Sequence, residues 1–245
     1  MVEQINFVLF SLQMFFTVKS VIKTLQPACS RCYASRIITN EALTTRLWRA
    51  ARNIYKAPIS KNPPYDHACQ VGDPVLRMQS NPVPKSSIKS NEVKKVIKNM
   101  IYVMRKEKAV GIAAPQVGSA LQIVAMEFTS KHTAKWPPEV CKMREVKEFP
   151  LTVIINPKLR FVDQRKIEWP EGCLSLKGFR ANVPRFYEVK VKGLDQEGND
   201  FEWQVSGYPA RILQHEIDHV NGHLFIDHMD STTFMDDDWI KWNLK

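Results

Sequence analysis

The sequence predicts an α+β fold: short antiparallel strands packed around a central metal-binding helix. Three observations predict it. Segments of strand length recur at 121–128, 153–156, 159–169, 187–194 and 202–205, with a turn at Asp195–Asn199 between the last two. A helix over about Ala210–Asn221 follows them and carries His215-Glu216-Ile217-Asp218-His219. The chain has 245 residues, 44% of them hydrophobic and 10% aromatic, which suits one compact domain plus a tail.

Taken in order, residues 1–60 form a separate segment. They hold eight Lys or Arg against Glu3 and Glu41, so they carry six of the ten net positive charges. An arginine-rich, acid-poor, amphipathic start reads as a mitochondrial transit peptide with its linker, leaving residues 61–245 as the folded domain. Asn6 to Val18 is largely apolar and competes as a secretory core, but Glu3 precedes it and no Lys or Arg does. About a dozen apolar residues fall short of the roughly 20 needed to span a bilayer, so no stable membrane insertion is expected. Five cysteines, an odd number, argue against a secreted disulfide scaffold. Cys29 and Cys32 have the spacing of a zinc or redox pair, but no second pair follows, and chance accounts for them. No catalytic part is expected for Cys69 or Cys141.

Ser90 is placed to cap a helix whose apolar stripe is Val93, Val96, Ile97, Met100, Ile101 and Met104. Leu121–Phe128 reads as a strand, and Trp136-Pro137-Pro138 through Lys147 as an exposed excursion. The turn Asp195–Asn199 joins the last two strands in a hairpin. His215 and His219, four apart on a helix, lie on one face about 6 Å apart along the axis, and both imidazoles can reach one divalent metal. Glu216 is then positioned to take a proton from a bound water. The third ligand has to come from elsewhere. No glutamate follows Glu216, and position 225, where some zinc proteases place a histidine, is Phe225. His223 continues the i+4 ladder but would stand roughly 12 Å from His215 on an unbroken helix, and Gly222 marks a helix end. His228 has no fitting spacing.

Upstream, Glu171-Gly172-Cys173-Leu174-Ser175 offers a thiolate in a turn-like setting, and Gly111-Ile112-Ala113-Ala114-Pro115-Gln116-Val117-Gly118 offers small residues and one amide. Together and in this order the three segments resemble the peptide deformylase family, from about Val71-Gly72-Asp73-Pro74 to about Asp230, and the ending from Gly207-Tyr208-Pro209 to Phe225-Ile226-Asp227 resembles its mitochondrial branch. The resemblance implies removal of the formyl group from N-formyl-methionyl nascent polypeptides in the mitochondrial matrix. It implies one divalent metal ion, Fe2+ ahead of Zn2+ or Co2+, held by Cys173, His215 and His219. It implies Glu216 as general base, and the Gln116 amide with the Leu174 backbone N–H as oxyanion donors. Val110, Gly111, Ile112, Tyr208, Arg211 and Ile212 fall where a methionine pocket should form, and Arg180 is a candidate for the peptide backbone. Glu171 and Arg185 are expected to brace the Cys173 loop, either as a buried pair or as an exposed one of about 1 kcal/mol or less. One departure from the family pattern is Ala109, where the first motif has glycine. Its methyl would narrow the pocket or clash with a positive φ.

Two other readings compete. A zinc endopeptidase would keep the helix motif but leave the other two segments without a role. A binding module for the mitochondrial ribosome fits a substrate that emerges there, but +4 over the residues after 60 is ordinary, no aromatic-and-basic RNA motif appears, and no DNA contact is expected.

Overall fold

The computed structural model describes residues 62–244, so the expected transit segment and Cys29 and Cys32 lie outside the described residues. Apart from a helical turn at Ser130–Thr133 and short 3-10 turns, the elements in chain order are helix α1 (Asn91–Lys106), strands β1 (Gly111–Ala113) and β2 (Ile123–Phe128), helix α2 (Pro138–Met143), strands β3 (Phe149–Cys173), β4 (Leu176–Leu194) and β5 (Asp200–Ser206), helix α3 (Gly207–Val220), strand β6 (Met235–Asp236) and helix α4 (Trp239–Asn243). The strands form one antiparallel sheet in the order β1-β2-β3-β4-β5, with β6 added to β4.

Helix α1 starts where Ser90 Oγ accepts a hydrogen bond from the Val93 N–H at 3.2 Å. Val93, Val96, Ile97, Met100 and Met104 of its expected stripe are buried, and Val103 is buried where Ile101 is only partly so. Successive residues of β2 then divide between two cores. Ile123 and Ala125 pack with the α1 stripe, whereas Val124 and Met126 pack with Ala210, Ile212, Leu213 and Ile217 of α3. Because side chains alternate across a strand, a sheet covered on both faces must be apolar at every position. β2 is buried at five of its six positions. The sheet is thus sandwiched between α1 and α3, and the α+β expectation holds.

Two expectations change. The runs at 153–156 and 159–169 belong to one bent strand, β3, paired with the long β4 through register shifts around Asn156, Phe161 and Asp163. Asn156 takes a φ of 53°, and its amide exchanges two 2.8 Å hydrogen bonds with the backbone of Val83, so the kink is clamped rather than broken. The strands bearing the cysteine motif are therefore long, not short. The excursion between β2 and β3 is also fastened to the fold. Arg144 O accepts from the Tyr208 N–H at 3.0 Å, capping the start of α3, and the Glu145 carboxylate accepts from the Tyr187 hydroxyl at 2.8 Å. Gly207, with φ 65°, permits this approach, because a Cβ there would meet Glu145 Cβ at 2.7 Å. Helix α3 consequently begins three residues before its expected start.

Candidate active site

Three elements converge on one point. The β3–β4 hairpin turns at Cys173, paired with Leu176, and presents its thiol at the turn. Helix α3 presents His215 and His219, whose rings stand 5.1 Å apart at 77°. The short turn Ala114–Val117 after β1 presents Gln116, buried with its Oε1 accepting from the Ala113 N–H at 2.9 Å. The amide nitrogen of Gln116 donates to Ser175 Oγ at 3.2 Å and to Cys173 Sγ at 3.5 Å. Cys173 Sγ lies 3.2 Å from His219 Nε2, and the ligating atoms of Cys173, His215 and His219 all fall within 4.8 Å of one another.

The surroundings prepare these atoms to bind a cation. Glu171, also on β3, accepts from His215 Nδ1 at 2.9 Å, which leaves Nε2 of that ring to ligate. Both Nε and Nη2 of Arg185 bond the Glu171 carboxylate at 3.0 Å, and Arg211 Nη1 reaches it at 2.7 Å. Glu171 and Arg185 thus form the buried version of the expected pair. Burial alone would raise the Glu171 pKa, but the His215 hydrogen bond and the Arg185 charge hold it well below the carboxylate range. Burial likewise opposes the Cys173 thiolate, yet the His219 charge and the hydrogen bonds from both histidines draw the thiol well below its usual pKa. His215, although buried, is pulled upward by hydrogen bonds with Cys173 and Glu171. Anionic partners that draw a proton onto a buried imidazole favour any cation in its place, and one thiolate with two imidazoles is a donor set for a transition metal.

Glu216 is 4% exposed, and its Oε2 has no hydrogen-bond partner among the described residues. Burial raises its pKa to about 7 against the opposing charges of His215 and His219. Ala109 lines the rim of the site; the positive φ of its turn is carried by Lys108 at 58°, so the methyl meets no backbone strain.

The site opens into a cleft of about 600 Å³. Val110, Gly111, Gln116, Cys173, Leu174, Tyr208, Arg211, Ile212, His215 and Glu216 line it, so most of the expected residues meet there. Ile112 stands apart, fully buried in the core against α1. Arg180 does not line the cleft itself, but its Nε bonds the carboxylate of Asp237, which does. Arg211 is only 5% exposed and spends its guanidinium on Glu171 and on the carbonyls of Val183 and Ile167.

The sequence reading missed Phe128, His132 and Trp136, which complete the wall of the cleft. Trp136 stacks edge-on to Tyr208 at 4.9 Å, and Phe128 contacts Tyr208 at 5.5 Å. The Arg144 guanidinium sits over both Trp136 and Trp169, 5.2 and 4.8 Å from the ring centroids. Only the aromatic content of the excursion could have signalled this.

A family model described as polypeptide deformylase matches residues 66–234. The chain belongs to the peptide deformylase family. It is 43% identical over 216 residues to the human mitochondrial peptide deformylase, covering 88% of each chain. Against peptide deformylase 1A of Arabidopsis thaliana, named chloroplastic/mitochondrial, it is 44% identical over 163 residues, covering 66% of this chain and 61% of that one. Among solved structures, a Met-Ala-Ser-bound peptide deformylase from Acinetobacter baumannii superposes with a TM-score of 0.58 at 31% identity, covering 66% of this chain and 97% of the other. The activity is therefore that of a metal-dependent hydrolase that removes the N-formyl group from formylated nascent peptides. The zinc endopeptidase alternative gains no support from these relatives.

Proposed function

We propose that Cys173, His215 and His219 hold the catalytic metal, that Glu216 is the general base, and that the Gln116 amide and the Leu174 N–H stabilise the oxyanion. One observation carries this reading. A buried carboxylate, one of whose oxygens has no partner among the described residues, shares a cleft with a thiol, the His215 imidazole and an amide pointed at that thiol, and His219 Nε2 stands 3.2 Å behind the same sulfur. A divalent cation bound by these donors supplies Lewis acidity that brings the pKa of a water near neutrality.

Glu216 takes the proton from the attacking water, and its pKa of about 7 makes it an acceptor near neutral pH. As the formyl carbon becomes tetrahedral, its oxygen gains charge, and Gln116 meets it with a donor whose orientation is already set by the Ala113 N–H. Glu216 then returns the proton to the departing amine. The methionine side chain lies against Val110, Ile212 and the Tyr208–Trp136 wall. With burial raising the Tyr208 pKa to about 12, that phenol stays neutral and serves as apolar surface.

One thiolate softens the cation, which suits Fe2+ in this site, with Zn2+ and Co2+ as alternatives. Residues 1–60 act as a mitochondrial import segment ahead of the catalytic domain at 61–245, the site of action is the matrix, and the mitochondrial ribosome is the partner that delivers substrate. The human relative's mitochondrial name and the basic, acid-poor start support this reading. Among the described residues no helix is long and apolar enough to cross a membrane.

The test is formate release from formyl-Met-Ala-Ser by the chain loaded anaerobically with Fe2+, beside Glu216→Ala. Activity in the parent and its loss in a variant that keeps its metal support the assignment of the base. Retained activity in Glu216→Ala would refute it.

A further inference from the structure

We propose that Asp218, His223 and His228 form a second metal site, selective for a borderline divalent cation of the zinc class and distinct from the Cys173 centre. The chain termination of α3 creates it. Gly222 adopts a φ of 79°, and the His223 N–H returns to the Asp218 carbonyl at 2.9 Å, so the backbone doubles back instead of carrying His223 another helical turn away. A turn at Phe225–Asp227 follows, held by Asp227 Oδ2 on the Leu224 N–H at 2.7 Å, and the His228 N–H closes onto Phe225 O at 3.1 Å. These bonds bring the two histidines that had no partner in the sequence to one place.

The donors have the required spacing. All three ligating atoms lie within 4.8 Å of one another. His228 Nε2 is 3.6 Å from Asp218 Oδ2. A tetrahedral ion with bonds of about 2.0–2.1 Å sets its donors roughly 3.4 Å apart, so small side-chain rotations close the set. The rings of His223 and His228 stand 5.5 Å apart at 83°, nearly the arrangement of His215 and His219 at 5.1 Å and 77°. Two imidazoles and one carboxylate are the donor types that hold zinc while leaving an open position.

Asp218 is also held in place, as a metal-ligating carboxylate usually is. Its Oδ2 accepts from Arg185 Nη1 at 2.5 Å, and that arginine is itself fixed by two hydrogen bonds to buried Glu171. Asp218 is half-buried, with 19% of its side chain exposed, while His228 is exposed, so the ion has access from solvent. Neither histidine lines the catalytic cleft.

Equilibrium dialysis of the metal-free full chain against micromolar zinc, followed by elemental analysis, tests the site. The double variant His223→Ala/His228→Ala should bind one zinc fewer than the parent, Cys173→Ala one fewer, and the triple variant two fewer. Formate release and far-UV circular dichroism of the double variant should match the parent. A double variant with the parent's zinc content overturns the proposal. The parent loaded with 113Cd gives an independent reading that needs no substitution. It should show one resonance in the range of nitrogen and oxygen ligation beside the deshielded thiolate-ligated one, and absence of the former also overturns the site.

Discussion

The carboxylate of Glu216 packs against the α-carbon of Gly111: a Cβ built on Gly111 would overlap Oε1 and would stand 2.8 Å from Cδ. The glycine is there for space, since its φ lies outside the positive region. Gly111→Ala should push the base out of position while leaving the three metal ligands in place. Proton transfer by a positioned side chain is worth about 10²–10⁴ in rate. Formate release in that variant should fall by about a hundredfold or more with metal content unchanged. A variant within a few-fold of the parent would show that the carboxylate tolerates displacement.

Glu171 is the anion on which Arg185, Arg211 and His215 converge, and all four side chains are buried or nearly so. Removing one member of such a set leaves uncompensated charge, at a cost of roughly 3–5 kcal/mol. Glu171→Gln should therefore lower the urea midpoint markedly at pH 7. The folded pKa of Glu171 is depressed below its ordinary 4.5, so its contribution is complete above about pH 4.5. Below that the unfolded chain takes up the proton first, and stability drains away as the pH falls toward the folded value. The parent should lose stability between pH 4.5 and 3, and Glu171→Gln should show a shallower loss over the same interval. Equal slopes would remove Glu171 from the acid response.

Arg144 holds Trp136 and Trp169 together through its guanidinium face, and Trp136 in turn supports Tyr208. Desolvated cation–π contacts are worth roughly 0.5–2 kcal/mol. Arg144→Ala should loosen the cleft wall without touching the groups that move protons. The expected result is a KM for formyl-Met-Ala-Ser raised by about three- to thirtyfold with kcat near the parent's, on the scale of 1.4 kcal/mol per factor of ten. A fall in kcat at constant KM would place Arg144 closer to the chemistry than the wall.

How much of this was legible in the sequence depended on whether the cause was local. Ser90 and the Val93–Met104 stripe predict α1 because cap and period sit within the helix itself. His215, Glu216 and His219 were legible because their helical spacing is a requirement of the chemistry, whereas Cys173 was reached only through the family resemblance, and the structure brings the thiol and both imidazoles within 4.8 Å. The join at Asn156-Pro157 was not. Locally that pair is a strand break, and only the hydrogen bonds from Val83 make it a clamped kink. Trp136 was read as exposed because nothing near it in sequence shows that Arg144 and Tyr208 will enclose it. His223 and His228 were set aside on helical arithmetic, which ceased to apply once Gly222 ended α3.

Cys69 and Cys173 should differ in reactivity, and metal should control only one of them. Cys69 is 4% exposed, and its thiol is pushed up to about 12 by burial and then by Asp73. Cys173 is half-buried, and its histidine neighbours favour the thiolate, which is the nucleophile in alkylation. After metal is stripped with a chelator at pH 7.5, iodoacetamide should modify Cys173 well before Cys69. Reloading the metal should protect Cys173, because its sulfur is then engaged, and leave the slow rate at Cys69 unchanged. Peptide mapping by mass spectrometry at several times reads both rates in one sample. If chelation left the Cys173 rate where it was, the thiolate would not be a ligand.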